Sequence, residues 1–420
     1  MVHIKSFKAL RPVEKYVRDV AALPYDVYDE DEARREAASH PRSFLRIDRP
    51  ETAFPEGCDM YAKEVYDKAA ELLSEDIKKG IYIREEEPCL YLYALTMNGR
   101  TQTGLAACVS VDDYLNGNVK KHENTVREKE EDRVRHITAL NAQTGPIFLT
   151  YRKNDRLKDI FSNERKKKPL YSFISEDGIE HELWRISDAE TIGEITGIFS
   201  EEISSAYIAD GHHRAASAVR ASLKRREAEG PTGETDTSAE YNYFLSVLFP
   251  DDELKILDYN RVVRDKGGLS DKEILAGLSE SFEISESCPE LWRPEKKGDI
   301  GMYLSDSGKY YRLSIKGCEY EKRSADPVAR LDASLLQELV LSRIFTINDP
   351  RTDKRVEFVG GIKGDKILKE KADLYGGVAF LMYPTSISEL MDVADAGLLM
   401  PPKSTWFEPK LRSGLLIHEF

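Results

Sequence analysis

Five consecutive residues, Asp210-Gly211-His212-His213-Arg214, constrain this chain more than any other segment. They follow the apolar run Ala206-Tyr207-Ile208-Ala209, which reads as the end of a strand. Ala215, Ala216, Ala218, Val219 and Leu223 then recur at helical spacing to about Glu229. A strand, one glycine and a helix start force a sharp turn that aims the helix N-terminus past the strand end. Gly211 lets backbone approach an anion closely, and the first helical turn offers unpaired N–H groups and a favourable dipole. Arg214 can grip phosphate oxygens with a planar fork. His212 and His213 add donors, and Asp210 can cap the helix or help hold a metal ion on a nucleotide. The construction predicts a phosphate site at a strand–helix junction. An Asp-capped helix with two surface histidines is the competing reading, and it leaves three nitrogen-bearing side chains in a row unexplained.

A chain of 420 residues is too long for one typical core, so two or three domains are expected. The net charge of −14 argues against a nucleic-acid surface, while a local cluster of cations can still hold a nucleotide. Cys58, Cys89, Cys108, Cys288 and Cys318 are odd in number and form no Cys-x-x-Cys pair, which predicts reduced thiols in a cytoplasmic protein. The N-terminus, with Lys5, Lys8, Arg11 and Glu14, lacks the apolar core of a signal peptide. No apolar run approaches the ~20 residues a bilayer span needs.

The pattern of elements predicts a mixed α/β fold in three segments: an N-terminal α/β domain over 1–165, a phosphate-binding region over 166–265 and a C-terminal α/β domain over 266–420. A helix is expected from Tyr61 to Lys79. Strands at Leu90–Thr96 and Gly104–Val109 should form a hairpin about Asn98-Gly99. Glu128 to Ala142 reads as a charged helix, with a Glu131–Arg135 pair on its wet face and Val134, Ile137 and Leu140 inward. Pro146–Tyr151 reads as a buried strand. A second hairpin is expected from Tyr241–Phe249 and Leu254–Val263, turning through Pro250-Asp251-Asp252. The breaker-rich Glu229–Asp236 should be a mobile loop placed to act as a lid.

Three further segments carry polar groups beside apolar ones. In Lys121-His122-Glu123-Asn124-Thr125, Glu123 can take a proton from a substrate hydroxyl and His122 can hold or relay it; Asp26 is the second candidate base. Plain surface polarity is the alternative there. Asn141-Ala142-Gln143-Thr144-Gly145-Pro146 sets two amides before a buried strand, a place for substrate recognition by Asn141 and Gln143. Met400-Pro401-Pro402-Lys403-Ser404-Thr405 stiffens the backbone ahead of a cation and two hydroxyls, either to present them to phosphate or to lock the C-terminus. No Gly-x-x-x-x-Gly-Lys-[Ser/Thr] loop, no Gly-x-Gly-x-x-Gly and no His-Glu-x-x-His occurs.

The glycine–arginine motif resembles that of the ParB/sulfiredoxin superfamily. Its closest version is the Asp-Gly-His-Thr-Arg of free-serine kinases, matched by Asp210, Gly211, His212 and Arg214, with His213 in place of threonine. His212 stands where sulfiredoxins carry their reactive cysteine, which excludes their chemistry, and only Gly211 and Arg214 match ParB proteins. Leu23-Pro24-Tyr25-Asp26-Val27, His122-Glu123-x-Thr125, Asn141 to Pro146, Tyr207 to Arg214 and Met400 to Thr405 together resemble, in order, the family catalogued as domain of unknown function 1015. The resemblances imply a ParB/sulfiredoxin-like core embedded in a larger multi-segment chain. They imply a phosphotransferase using Mg²⁺ and ATP or ADP, with CTP as another option, on a small hydroxyl compound such as free serine. Phosphoserine hydrolysis is a close variant. Gly211, His212, His213, Arg214, Lys403, Ser404 and Thr405 would hold phosphate, Asp210 the metal, and Glu123, His122, His212, His213 or Asp26 would serve catalysis. The rival reading is a ParB-like nucleotide-binding regulator without turnover. A third is metal-dependent hydrolysis at Asp210, His212, His213 and His122. Nucleotide and small molecule are the expected partners, with neither nucleic acid nor membrane; a homodimer is admitted.

Overall fold

Asn98 and Gly99 both take the left-handed conformation, at φ 53° and 76°, which a two-residue hairpin turn requires. That turn joins the two long strands at the middle of the main sheet. The computed structural model describes residues 1–229, 238–286 and 292–420. It parts into two compact units, Met1–Leu254 with Pro409–Phe420, and Lys255–Glu408.

In the first unit the strands are Ile4–Lys5 (β1), Leu90–Met97 (β2), Arg100–Ser110 (β3), Val119–Lys120 (β4), Ile147–Tyr151 (β5), Tyr171–Ile174 (β6), Glu180–Ile186 (β7), Ala206–Asp210 (β8) and Tyr243–Pro250 (β9). They form one nine-stranded sheet in the order β4-β8-β5-β9-β3-β2-β7-β6, with β1 alongside β3. The sheet is mixed: β8 runs parallel to β4 and β9 parallel to β5, while β8 is antiparallel to β5 and β9 to β3. Val247 and Leu248 point to opposite faces, and both are fully buried. A strand covered on two faces reads as a continuous apolar run.

Helices Lys63–Lys78 (α1), Arg127–Leu140 (α2), Asp155–Glu164 (α3), Ala189–Glu202 (α4) and His212–Glu229 (α5) belong to this unit. The core gathers Leu105, Leu149, Ile208 and Phe244 from the sheet with Val134 and Ile137 of α2 and Ala215, Ala218 and Val219 of α5. Small residues on α5 let α2 pack close to it. Ser217 Oγ donates to the Glu130 carbonyl at 3.1 Å and Arg220 pairs with Glu130 at 3.0 Å.

The second unit is built on Tyr259–Val263 (β10), Phe282–Glu286 (β11), Asp299–Leu304 (β12), Lys309–Ile315 (β13), Val356–Gly360 (β14) and Val378–Met382 (β15). These form a six-stranded antiparallel sheet, β11-β13-β12-β15-β10-β14, over a core that includes Ile274, Leu313, Leu336 and Phe380.

The mixed α/β class holds, but three local expectations do not. The second hairpin is absent: β9 lies between β5 and β3, whereas β10 pairs with β14 and β15 in the other unit. Both strands are buried on two faces, so their apolar pattern carries no information about their partner. The chain also does not divide at 165, because β5, β8 and β9 share one sheet, and the second break falls after Leu254, with Pro409–Phe420 returning to the first unit. Glu131 pairs with Arg220 and Lys224 rather than Arg135, which donates to the Tyr61 carbonyl instead. The expected lid at Glu229–Asp236 lies, beyond Glu229, outside the described residues, as does Cys288. No helix among the described residues is long and apolar enough to cross a membrane.

Candidate functional site

Strand β8 ends at Asp210, α5 begins at His212, and Gly211 alone makes the turn between them, at φ +95°. The first turn of α5 therefore opens beyond the C-terminal end of β8, at the strand–helix junction its sequence predicts. A β-carbon on Gly211 would lie 2.9 Å from Arg214 Nε and 3.0 Å from its Cζ. Only glycine allows both the backbone conformation and the folding-back of the arginine. Replacing Gly211 by Ala should therefore cost about 1–2 kcal/mol in backbone strain and also displace Arg214. The measurements are a denaturation curve and nucleotide affinity. Unchanged values in both would show that this close approach is not needed.

Arg214 is buried. Its Nη1 donates to the Pro146 carbonyl at 2.5 Å, Nη2 lies 3.6 Å from Asp210 Oδ2, and Nε has no hydrogen-bond partner among the described residues. Burial opposes its charge, but Asp210, Asp26, Tyr25 and Asp48 outweigh that and hold the guanidinium ionised. Asp210 Oδ1 accepts the Gly211 N–H at 3.0 Å, and Oδ2 meets Lys410 Nζ at 3.1 Å. Burial raises the Asp210 carboxyl, yet Lys410 and then Arg214 bring it well below the ordinary carboxylate range. The carboxylate thus neutralises two cations and is already engaged at both oxygens. That arrangement does not suit it as a direct Mg²⁺ ligand. Among the described residues, no three His, Cys, Asp or Glu side chains are grouped to hold a metal ion.

His122 and His212 meet edge to face, ring centres 4.5 Å apart. His212 Nε2 faces the His122 backbone N–H at 3.5 Å, and its Nδ1 lies 3.9 Å from Glu123 Oε2. His213 turns the other way, accepting the Val126 N–H on Nε2 at 3.0 Å. With Nε2 an acceptor, the neutral His213 ring carries its proton on Nδ1. Burial pushes His122 down to about 4, partly offset by Asp210. Burial and then His122 push His212 well below the usual imidazole value. Both rings of the folded protein are neutral at pH 7. Between pH 6.5 and 4 the unfolded chain takes up protons that these rings refuse, so stability falls as pH falls, by about 1.4 kcal/mol per pH unit for each ring. Above the unfolded value they contribute nothing. Urea curves at pH 7, 6 and 5 should show this slope, and His122→Phe should reduce it; equal slopes in the two proteins would mean His122 is protonated in the fold.

Beside Arg214 a cleft opens, lined by Tyr25, Asp48, Arg133, Gln143, Thr144 and Gly145. Arg133 is buried on α2, donates from Nε to Asp132 at 2.8 Å and from Nη1 to the Asp48 carbonyl at 3.1 Å, and lies 4.2 Å over the Tyr25 ring. Desolvation of Tyr25, partly offset by Arg133, moves its hydroxyl up to about 12. Asp48 Oδ1 accepts from Thr144 Oγ1 at 2.8 Å.

Tyr25, Asp48, Arg133, Thr144 and Lys410 were not singled out from sequence. Arg133 sits inside a dense run of charges that reads as a solvated face. The one available signal was its position beside Val134 and four before Ile137, on the inward side. Of the expected residues, His122, Glu123, Asp210, Gly211, His212 and Arg214 come together. Asp26 is exposed on the short turn Tyr25–Val27, near enough to act on Arg214 electrostatically. Asn141 is the left-handed cap of α2 and receives Arg225. Gln143 lines the cleft, but its amide is spent on the Tyr243 carbonyl at 3.1 Å and the Leu245 N–H at 2.6 Å. Both amides thus have partners within the fold. Lys403, Ser404 and Thr405 lie in the second unit. There the Lys403 carbonyl accepts from Arg261 at 3.1 Å, and Ser404 Oγ donates to the Pro401 carbonyl at 2.7 Å.

The family model of DUF1015, described as a protein of unknown function, matches residues 4–334. The chain belongs to that family. No curated protein matches it. Among solved structures it is similar to a free serine kinase in complex with AMP, at 15% identity over 73% of this chain and 91% of that one, TM-score 0.34. It is similar also to SbnI with C-terminal truncation from Staphylococcus aureus, at 13% identity over 74% and 87%, TM-score 0.37. A conserved hypothetical protein from Pyrococcus furiosus matches at 17% identity over 74% and 94%, TM-score 0.33.

Proposed function

We propose that this member of the DUF1015 family transfers phosphate between a nucleotide, ATP or ADP, and a small hydroxyl compound, with free serine the first acceptor to test. The observation that carries the reading is Arg214: a buried guanidinium at a helix start, ionised, with Nε unpartnered and one edge on an open cleft. Phosphoryl transfer asks mainly for positioning and charge neutralisation. Arg214 supplies the fixed cation, and the first turn of α5 supplies aligned N–H dipoles. Neutral His212, its Nε2 turned to the His122 N–H, orients Glu123 from Nδ1 and adds no charge that would hold the product. Glu123 accepts the acceptor's hydroxyl proton as the oxygen forms its bond to phosphorus and the bond to the nucleotide's leaving oxygen breaks. Asp210 keeps Arg214 oriented.

The test is phosphate transfer from ATP, ADP and CTP to serine, threonine, homoserine and inositol, run beside phosphoserine hydrolysis. Transfer to one acceptor class supports the reading. Tight nucleotide binding without turnover on any of them would favour a nucleotide-binding regulator instead.

A further inference from the structure

Asp48 is an oddity of the cleft. It is 3% exposed, yet only one carboxylate oxygen has a partner, the Thr144 hydroxyl, and Oδ2 accepts no hydrogen bond among the described residues. A buried carboxylate normally has its oxygens satisfied, because desolvating it unpaired is costly. Arg133, the adjacent cation, does not supply the missing donor. Its Nε goes to Asp132 and its Nη1 to the Asp48 backbone carbonyl. His136, on the same wall, is spent on the Ile47 carbonyl at 2.9 Å, and burial and then Arg133 lower its affinity for a proton. Thr144 already points its hydroxyl at Oδ1. The remaining donor must therefore come from the cleft itself.

We infer that Asp48 is the specificity-determining residue of this cleft and takes the primary ammonium group of a hydroxy-amine ligand. The inference rests on the phosphotransferase reading only for the direction of the hydroxyl, which would face Arg214 and Glu123. The ammonium subsite is a binding claim and stands or falls separately. An ammonium brings three donors and a charge opposite to that of Asp48, which matches one open carboxylate oxygen in a low-dielectric wall. Arg133 sits next to it with Nη2 making no hydrogen bond among the described residues, and could take a carboxylate on the same ligand. The shared chemistry is a primary ammonium on the carbon next to a hydroxymethyl group, found in both serine and ethanolamine.

Calorimetry on the full chain without nucleotide separates the sources. Serine, ethanolamine, glycerate and inositol are the probes. Serine and ethanolamine should bind, and serine the more tightly if Arg133 takes its carboxylate. Glycerate, in which a neutral hydroxyl replaces the ammonium, should bind at least about 10-fold more weakly than serine, the effect of one charge-assisted contact. Asp48→Asn keeps an oxygen for Thr144 and should lose about 10-fold or more for serine and ethanolamine, with ADP affinity not reduced. A merely structural Asp48 would weaken ADP equally. Glycerate or inositol binding as well as serine in the parent protein overturns the inference, even if the variant does not fold. Serine binding through Asp48 without any phosphate transfer leaves the subsite in place and removes the phosphotransferase reading; turnover on inositol or glycerate does the reverse.

Discussion

Replacing Arg214 by Ala should weaken nucleotide or inorganic phosphate binding by about 10- to 150-fold, the loss of a charge-assisted contact worth roughly 1.5–3 kcal/mol. The same change should cost stability. Arg214 Nη1 satisfies the Pro146 carbonyl in the interior, and of its two ion-pair partners among the described residues Asp210 would keep Lys410. An orphaned buried carbonyl costs about 1–3 kcal/mol, so the variant should remain folded but melt earlier. Arg214→Lys separates the two effects. It keeps a charge but not the planar fork, and should recover part of the binding while leaving the Pro146 contact poorly made. Titration of ADP and of phosphate into the three proteins, each checked by a denaturation curve, gives the answer. If Arg214→Ala binds ADP like the parent, the phosphate cradle is not at the start of α5.

What was legible beforehand follows from how local the signals are. The Asn98-Gly99 turn, the strand at Ile147–Tyr151 and the β8–Gly211–α5 junction each rest on a few adjacent residues, and each formed where the pattern put it. Gly211 and Arg214 were readable as a pair because a positive φ and a helical offset bring them together within one turn. Partner choice in a sheet is different. β9 and β10 are both apolar on two faces, so nothing in either run says that one lies beside β5 and the other in a separate unit.

The cleft wall was illegible for a related reason. Asp48 and Arg133 are 85 residues apart and carry the residue types of a wet surface; they are buried because each holds part of the other's backbone or charge. Asn141 and Gln143 erred in the opposite sense. Polar amides before a strand read as recognition, whereas in the structure the Asn141 amide oxygen accepts from Arg225 and the Gln143 amide meets the backbone of β9. In both cases the deciding fact is whether a polar atom still lacks a partner, which only the assembled fold reveals.

Glu123→Gln should leave nucleotide binding nearly intact and lower turnover by roughly 10²- to 10⁴-fold, the usual contribution of a positioned general base. The amide keeps the shape of the side chain but cannot accept the hydroxyl proton. Glu123 is half-buried, so it reaches both solvent and site, and its Oε2 lies 3.9 Å from His212 Nδ1. Because burial and His122 hold His212 neutral, the ring can orient this carboxylate by donating to it without competing for its proton. His212→Gln should therefore lower turnover less than Glu123→Gln does. The measurement is single-turnover phosphate transfer at saturating nucleotide, with affinity determined separately for each variant. Full activity in Glu123→Gln would move the base to Asp26, which acts on Arg214 electrostatically and would then show the loss instead. A fall in nucleotide affinity that matches the fall in rate would instead make Glu123 a residue that shapes the site rather than one that takes the proton.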